Sequence, residues 1–177
     1  MIESTHAQNS FFGKAYFGSS SAALMTGSDY IGGPSYDVEK FREFGLLFGK
    51  ELNGKWAVET GVNIAAANVI VRSGPGPEIN VTRYKFEMLS FPVIVKYSIS
   101  SFLYVNGGPL LDIQRSEKST INQSGIGYLI GIGAQQYFNN VGIYLNPHLK
   151  RHAAISFDSS IENLTELGVQ LGVAYKF

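Results

Sequence analysis

The residues of this sequence best suited to nucleophilic catalysis are few and lie close together: His148, His152 and Ser156. A histidine that accepts the proton of a neighbouring serine would turn that hydroxyl into a nucleophile toward an ester or amide. Their spacing matches no acylhydrolase pattern, and no G-x-S-x-G elbow occurs. Glu51 and Glu59 offer a carboxylate pair of the sort that divides into an acid and a base. Set across a tight turn at Asn53-Gly54, they read instead as partners for lysines. The glycines of GIGYLIGIG (125–133) share only composition with a dinucleotide loop, because they recur with period two and no helical pattern follows. SGPGPE (73–78) lacks the Gly-Lys-Ser/Thr ending of a phosphate loop. With no cysteine there is neither a disulfide framework nor a thiolate metal site, and no metal or cofactor is expected. A formal charge of zero and a pI of about 6.8 leave no footprint for nucleic acid. The residue chemistry therefore predicts no enzyme.

The period of the chain shows what must hold these residues in place. In the last eleven residues, LGVQLGVAYKF (167–177), Leu167, Val169, Leu171, Val173, Tyr175 and Phe177 share one parity, and Gly168, Gln170, Gly172, Ala174 and Lys176 the other. A strand points successive side chains to opposite faces, so one face is greasy and the other small or polar. Charged residues are 16% of the chain, against roughly 25% for an average soluble domain, and aromatics are 13%. No run of about 18 apolar residues is present, so a transmembrane helix is not expected. Few charges, many aromatics and interleaved polarity favour a membrane barrel with its greasy face toward lipid.

Seven further segments share the pattern: 11–19, 44–52, 56–64, 89–97, 103–113, 125–138 and 141–150. Pro92 and Pro109 interrupt two of them and are read as bulges or bends, since proline cannot donate to a ladder. Turns at Asn53-Gly54, at about Ser98 to Ser101 and at Asn139-Asn140 are short, whereas the connections at roughly 20–43, 65–84, 114–124 and 151–164 are long. An even number of antiparallel strands with short turns at one end and long loops at the other is the layout of a bacterial outer-membrane barrel. The expected fold is all-β, an eight-stranded antiparallel up-and-down transmembrane β-barrel. Residues 11–177 form its single domain, and 1–10 are a disordered start or a remnant of an export signal.

The inward parity collects Lys14, Lys96, Lys150 and Lys176 with Glu51, Glu59, Asp112 and Glu166, and adds Asn63, Asn106, Gln135, Asn146, His148 and Gln170. An eight-stranded lumen is only wide enough for its own side chains, so these charges must pair. They are expected to form a structural polar network that blocks conduction. Val58, Val62, Val93, Val95, Ile130, Ile132, Val169 and Leu171 are expected to face lipid. A partner, if one exists, would be met by the four long loops. The alternatives are a small-solute porin, a lipid A-modifying enzyme acting through His152 and Ser156, and a soluble lipocalin-like barrel with the greasy face inward.

The opening FGKAYFG, the NGKW hairpin, FPVIVKY, the YVNGGPLLD strand and the terminal LGVAYKF resemble, in their order and spacing, the small porin-like outer membrane protein β-barrel domain family, related in architecture to the OmpA and OmpX barrels. The likeness runs over nearly the whole chain from Phe11. It implies a multi-pass protein of the bacterial outer membrane, in contact with outer-membrane lipid and, during biogenesis, with the barrel-insertion machinery. In such families the terminal aromatic strand is the insertion signal, which maps here to Tyr175 and Phe177. The family carries over no catalytic residue.

Overall fold

The computed structural model describes residues 10–26, 35–73, 80–116, 122–157 and 162–177. Except for Ser10, the expected export remnant or disordered start lies outside the described residues. Eight strands follow in chain order: β1 (Phe11–Thr26), β2 (Ser35–Glu51), β3 (Trp56–Ser73), β4 (Asn80–Ser98), β5 (Leu103–Gln114), β6 (Gly125–Phe138), β7 (Val141–Ser156) and β8 (Glu162–Lys176). Each pairs antiparallel with its neighbours in sequence, and β1 pairs with β8, so the sheet closes into a barrel with no free edge. The chain ends are sealed by Phe177 N donating to Phe11 O at 2.9 Å and Glu51 N to Ser10 O at 2.9 Å.

The register fixes the tilt. A path followed from partner to partner starts at Glu51, passes Ala57, Lys96, Asn106, Gly131, His148, Gly168 and Ser20, and returns to β2 at Phe41, ten residues from where it began. For eight strands this offset corresponds to a tilt of about 40°, so each residue climbs about 2.5 Å along the barrel axis.

Inward-facing aromatic side chains find their space through glycine. Tyr16 lies opposite Gly45 and Phe12 opposite Gly49. Tyr104 lies opposite Gly133, and Tyr144 opposite Gly172. Each ring lies over its partner glycine, and a Cβ built on Gly45 would sit 2.2 Å from the Tyr16 ring. Gly45, Gly49, Gly133 and Gly172 are therefore seats for aromatic side chains on the neighbouring strand. Gly45→Ala is expected to cost about 1–3 kcal/mol by overpacking, whereas Gly54→Ala, with nothing within 4 Å of its Cβ, is expected to be silent. Urea titration of folding into lipid vesicles would measure both; equal stabilities would remove the seating role.

Two expectations need correction. The connections taken as 20–43, 65–84, 114–124 and 151–164 are largely strand, since β1 runs on to Thr26, β2 begins at Ser35, β3 reaches Ser73, β4 starts at Asn80, β7 reaches Ser156 and β8 starts at Glu162. Residues 27–34, 74–79, 117–121 and 158–161 lie outside the described residues. The prolines do not bulge: the register is the same on both sides of Pro92 and of Pro109, and only the local ladder is interrupted. Irregularities lie instead at Ser20/Ala22, at Glu39/Arg42, where Lys40 has φ 56°, and between Ile126/Tyr128 and β7, where Ala153 has φ 45°. The short turns stand near their expected places. Asn139 takes φ 56° in a two-residue turn, and Asn53 Oδ1 accepts from Lys55 N at 3.0 Å and Trp56 N at 2.9 Å within a longer turn over 52–55.

Candidate functional site

Among the described residues the inward side chains lie in layers along the lumen. At the rim nearest the short turns, Lys176 Nζ lies 2.8 Å from Glu51 Oε1, Ser10 Oγ donates to Glu51 Oε2 at 2.7 Å, and Lys176 covers the Tyr137 ring at 4.5 Å. Both charged side chains are partly exposed, at 32% and 27%. In the next layer Lys14 Nζ contacts Glu59 Oε1 at 2.5 Å, and Lys96 donates to Gln135 Oε1 at 3.3 Å. The two ammonium groups share the rings of Phe12 and Tyr104, with Tyr144 4.9 Å from Lys14. Aromatic faces and one carboxylate thus stabilise both cations away from water.

The central layer ties four strands, β2, β3, β7 and β8, together across the lumen. Lys150 from β7 bridges Glu43 of β2 and Glu166 of β8, the latter at 2.9 Å. Glu43 also accepts from Asn63 Nδ2 at 2.6 Å and from Gln170 Nε2 at 2.9 Å. Asn146 Nδ2 donates to Gln170 Oε1 at 3.1 Å. His148 Nε2 lies 3.3 Å from Glu166 Oε1 and 3.7 Å from Glu43 Oε1. Glu43, His148 and Glu166 are close enough together to hold a metal ion. The Lys150 ammonium already meets both carboxylates, so this chain supplies its own cation there.

Above this layer His152 Nδ1 lies 2.9 Å from Asp112 Oδ2, and its Nε2 lies 3.7 Å from Glu166 Oε2. Both ring nitrogens therefore face carboxylates, and the ring stacks on Phe41. Toward the far end of the lumen Phe41, Ala65, Ala67, Val69, Phe86, Met88 and Leu164 pack into one buried apolar cluster, with the buried Gln123 accepting from Leu164 N at 2.9 Å.

Of the residues expected inside, Lys14, Glu59, Asn63, Lys96, Asp112, Asn146, His148, Lys150, Glu166 and Gln170 are buried, Asn106 and Gln135 are partly buried, and Glu51 and Lys176 form the rim. Sequence reasoning missed Glu43, the acceptor on which the central layer converges, and the buried apolar cluster. Glu43 shares the parity of Gly45, Gly49 and Glu51 and lies one residue before the segment 44–52.

The outer face is the reverse. Phe17, Phe44, Leu46, Phe48, Val93, Ile130 and Leu171 are all exposed, forming a broad apolar belt. At the short-turn end aromatic residues gather: Phe11 stacks on Phe48 at 5.5 Å, Trp56 meets Tyr97 at 4.7 Å and Tyr175 meets Phe177 at 5.3 Å. A greasy wall bordered by an aromatic girdle around a polar centre suits a bilayer and excludes the lipocalin-like alternative. Residues 42–177 match the family model described as outer membrane protein beta-barrel domain. The chain belongs to that family.

This outer membrane barrel is also similar to solved structures. OprG of Pseudomonas aeruginosa aligns at 17% identity with a TM-score of 0.57, covering 97% of each chain. The outer membrane protein AlkL, determined in lipid bilayers, aligns at 12% identity with a TM-score of 0.58, covering 100% of this chain and 94% of AlkL. Ail of Yersinia pestis, in complex with a heparin analogue, aligns at 12% identity with a TM-score of 0.50, covering 96% and 99%. At these identities the likeness speaks to the fold alone. No curated protein matches the chain. Family and fold place the protein in the bacterial outer membrane, with the short turns on the periplasmic side.

Proposed function

We propose that this barrel is a closed outer-membrane scaffold with a structural, adhesive or accessory role, and that it is neither a porin nor an enzyme. The observation that carries this reading is the pair of layers across the lumen, in which the ion pairs centred on Lys150 lie beneath the buried cluster of Phe41, Phe86, Met88 and Leu164. A water-filled path would have to open both layers, separating buried charges and exposing apolar side chains. The anchoring of His152 between Asp112 and Glu166 supports the non-enzymatic part of the reading.

Within this proposal, any partner is met at the extracellular strand ends and the connections 27–34, 74–79, 115–124 and 157–161, because the lipid face is generic and the lumen is occupied. Tyr175 and Phe177, exposed at the end of β8, are offered to the barrel-insertion machinery during biogenesis. Planar-bilayer recording tests the closed state: no steady, reproducible conductance is expected from the purified barrel. A stable pore of porin size would move the protein to the transporters.

A further inference from the structure

Among the described residues, charged side chains gather outside the lumen on the outer wall of β2, β3 and β4. There a notch of about 230 Å³ is lined by Lys40, Arg42, Asn68, Lys85 and Glu87, with Ala66 among its small residues. Arg83, and Arg115, whose backbone N–H donates to the backbone carbonyl of Glu87 at 2.9 Å, add positive charge nearby, against Glu39 and Glu87. Among the described residues Lys40, Arg42 and Lys85 make no ion pair within 4.0 Å. The charge is also one-sided, since the outward face of β6 and β7 toward the same end carries Ile126, Tyr128 and Ile155.

Height decides what these cations meet. Ten residues separate Arg42 from Leu52 in the periplasmic turn, which at the tilt derived above carries Arg42 about 25 Å upward, the height of the apolar band of such a barrel. Below Arg42 on the same face come Phe44, Leu46 and Phe48, all exposed to lipid. The notch therefore opens at the outer boundary of the membrane, level with headgroups. Its shape is also deliberate in the backbone: the irregularity between Glu39 and Arg42 leaves Lys40 at φ 56°, a conformation a non-glycine residue adopts at a cost and one often kept at binding sites.

We propose that Lys40, Arg42 and Lys85 form a binding site for the phosphate groups of outer-leaflet lipid headgroups. An arginine fork and two ammonium groups around one recess match a phosphate's oxygens, and the low-dielectric boundary strengthens the attraction. Bound lipid would then hold the barrel at a fixed depth and orientation in the outer leaflet.

Native mass spectrometry of the refolded full chain, titrated with lipid A, tests the site. The triple variant K40Q/R42Q/K85Q is expected to bind lipid A roughly a hundredfold more weakly, while K50Q/K55Q, which removes charge at the periplasmic end, binds like the wild type. Chemically dephosphorylated lipid A should bind the wild type as weakly as lipid A binds the triple variant, and millimolar inorganic phosphate should not displace the lipid. Heat-shifted electrophoresis checks that each variant is folded. A folded triple variant that binds lipid A like the wild type overturns the proposal, as does equal loss in K50Q/K55Q. Displacement by inorganic phosphate overturns the assignment to lipid.

Discussion

Replacing Lys150 with methionine is expected to destabilise the barrel by about 3–5 kcal/mol, the cost of stranding buried charge. Methionine keeps the length and apolar stem of lysine but removes the ammonium that joins Glu43 and Glu166. Both carboxylates would remain buried with His148 as the nearest cationic partner, at 3.3 and 3.7 Å. A second substitution, Glu43→Gln, removes one of the stranded charges and should recover part of the loss, so the two changes are not additive. Lys176→Met removes a lysine from a pair that is about a third exposed, and should cost under about 1 kcal/mol. Urea titrations of folding into vesicles give all four stabilities. If K150M and K176M were equally mild, the central layer would not be holding β2, β7 and β8 together.

How much of this was visible beforehand depended on where a strand lies relative to lipid. Within the membrane the outward residues are apolar and the inward ones small or polar, and that alternation marked every strand over the stretch that faces lipid. Beyond the outer boundary the alternation does not vanish; it inverts. On β2 Phe41 turns inward while Lys40 and Arg42 face outward, and on β4 Met88 and Phe86 turn inward while Glu87 and Lys85 face outward. Water and headgroups now cover the outside, so the apolar side chains retreat to the axis as in a soluble barrel. A single parity rule breaks off where this inversion begins, so the extracellular halves of β2, β3 and β4 carry no strand signal of that kind.

The gaps in the reading of the lumen lie just past the ends of the alternating segments. Lys14, Glu59, Lys96 and Lys150 lie in segments with unbroken alternation, so their inward direction followed from parity. Glu43 sits one step before such a segment, and His152 lies beside the irregularity at Ala153, where two successive residues are both buried. What no parity rule supplies is which acid meets which base across the axis. Lys150 and Glu43 are 107 residues apart and meet only because the offset of the closed sheet raises one side of the barrel relative to the other.

That offset also sets the depth of the lipid-facing positions, and so the expected effect of the last substitution. Leu171 is 62% exposed and lies between Phe17 on β1 and Leu145 on β7, at 53% and 45%, so its side chain belongs to a continuous apolar row. Six residues separate it from Phe177 at the periplasmic girdle, which places it about 15 Å into the membrane, near the middle. An arginine at the midplane of such a barrel costs about 2–4 kcal/mol, falling to about 0–1 kcal/mol near either interface. Leu171→Arg should therefore weaken folding into vesicles by the larger amount, and Phe157→Arg, at the extracellular end just beyond β7, by the smaller. In detergent micelles, whose boundary deforms around a charge, the difference between the two should narrow. Equal costs in vesicles would mean that depth does not follow from the tilt and offset, and the lipid-facing assignment of the Leu171 row would fall with it.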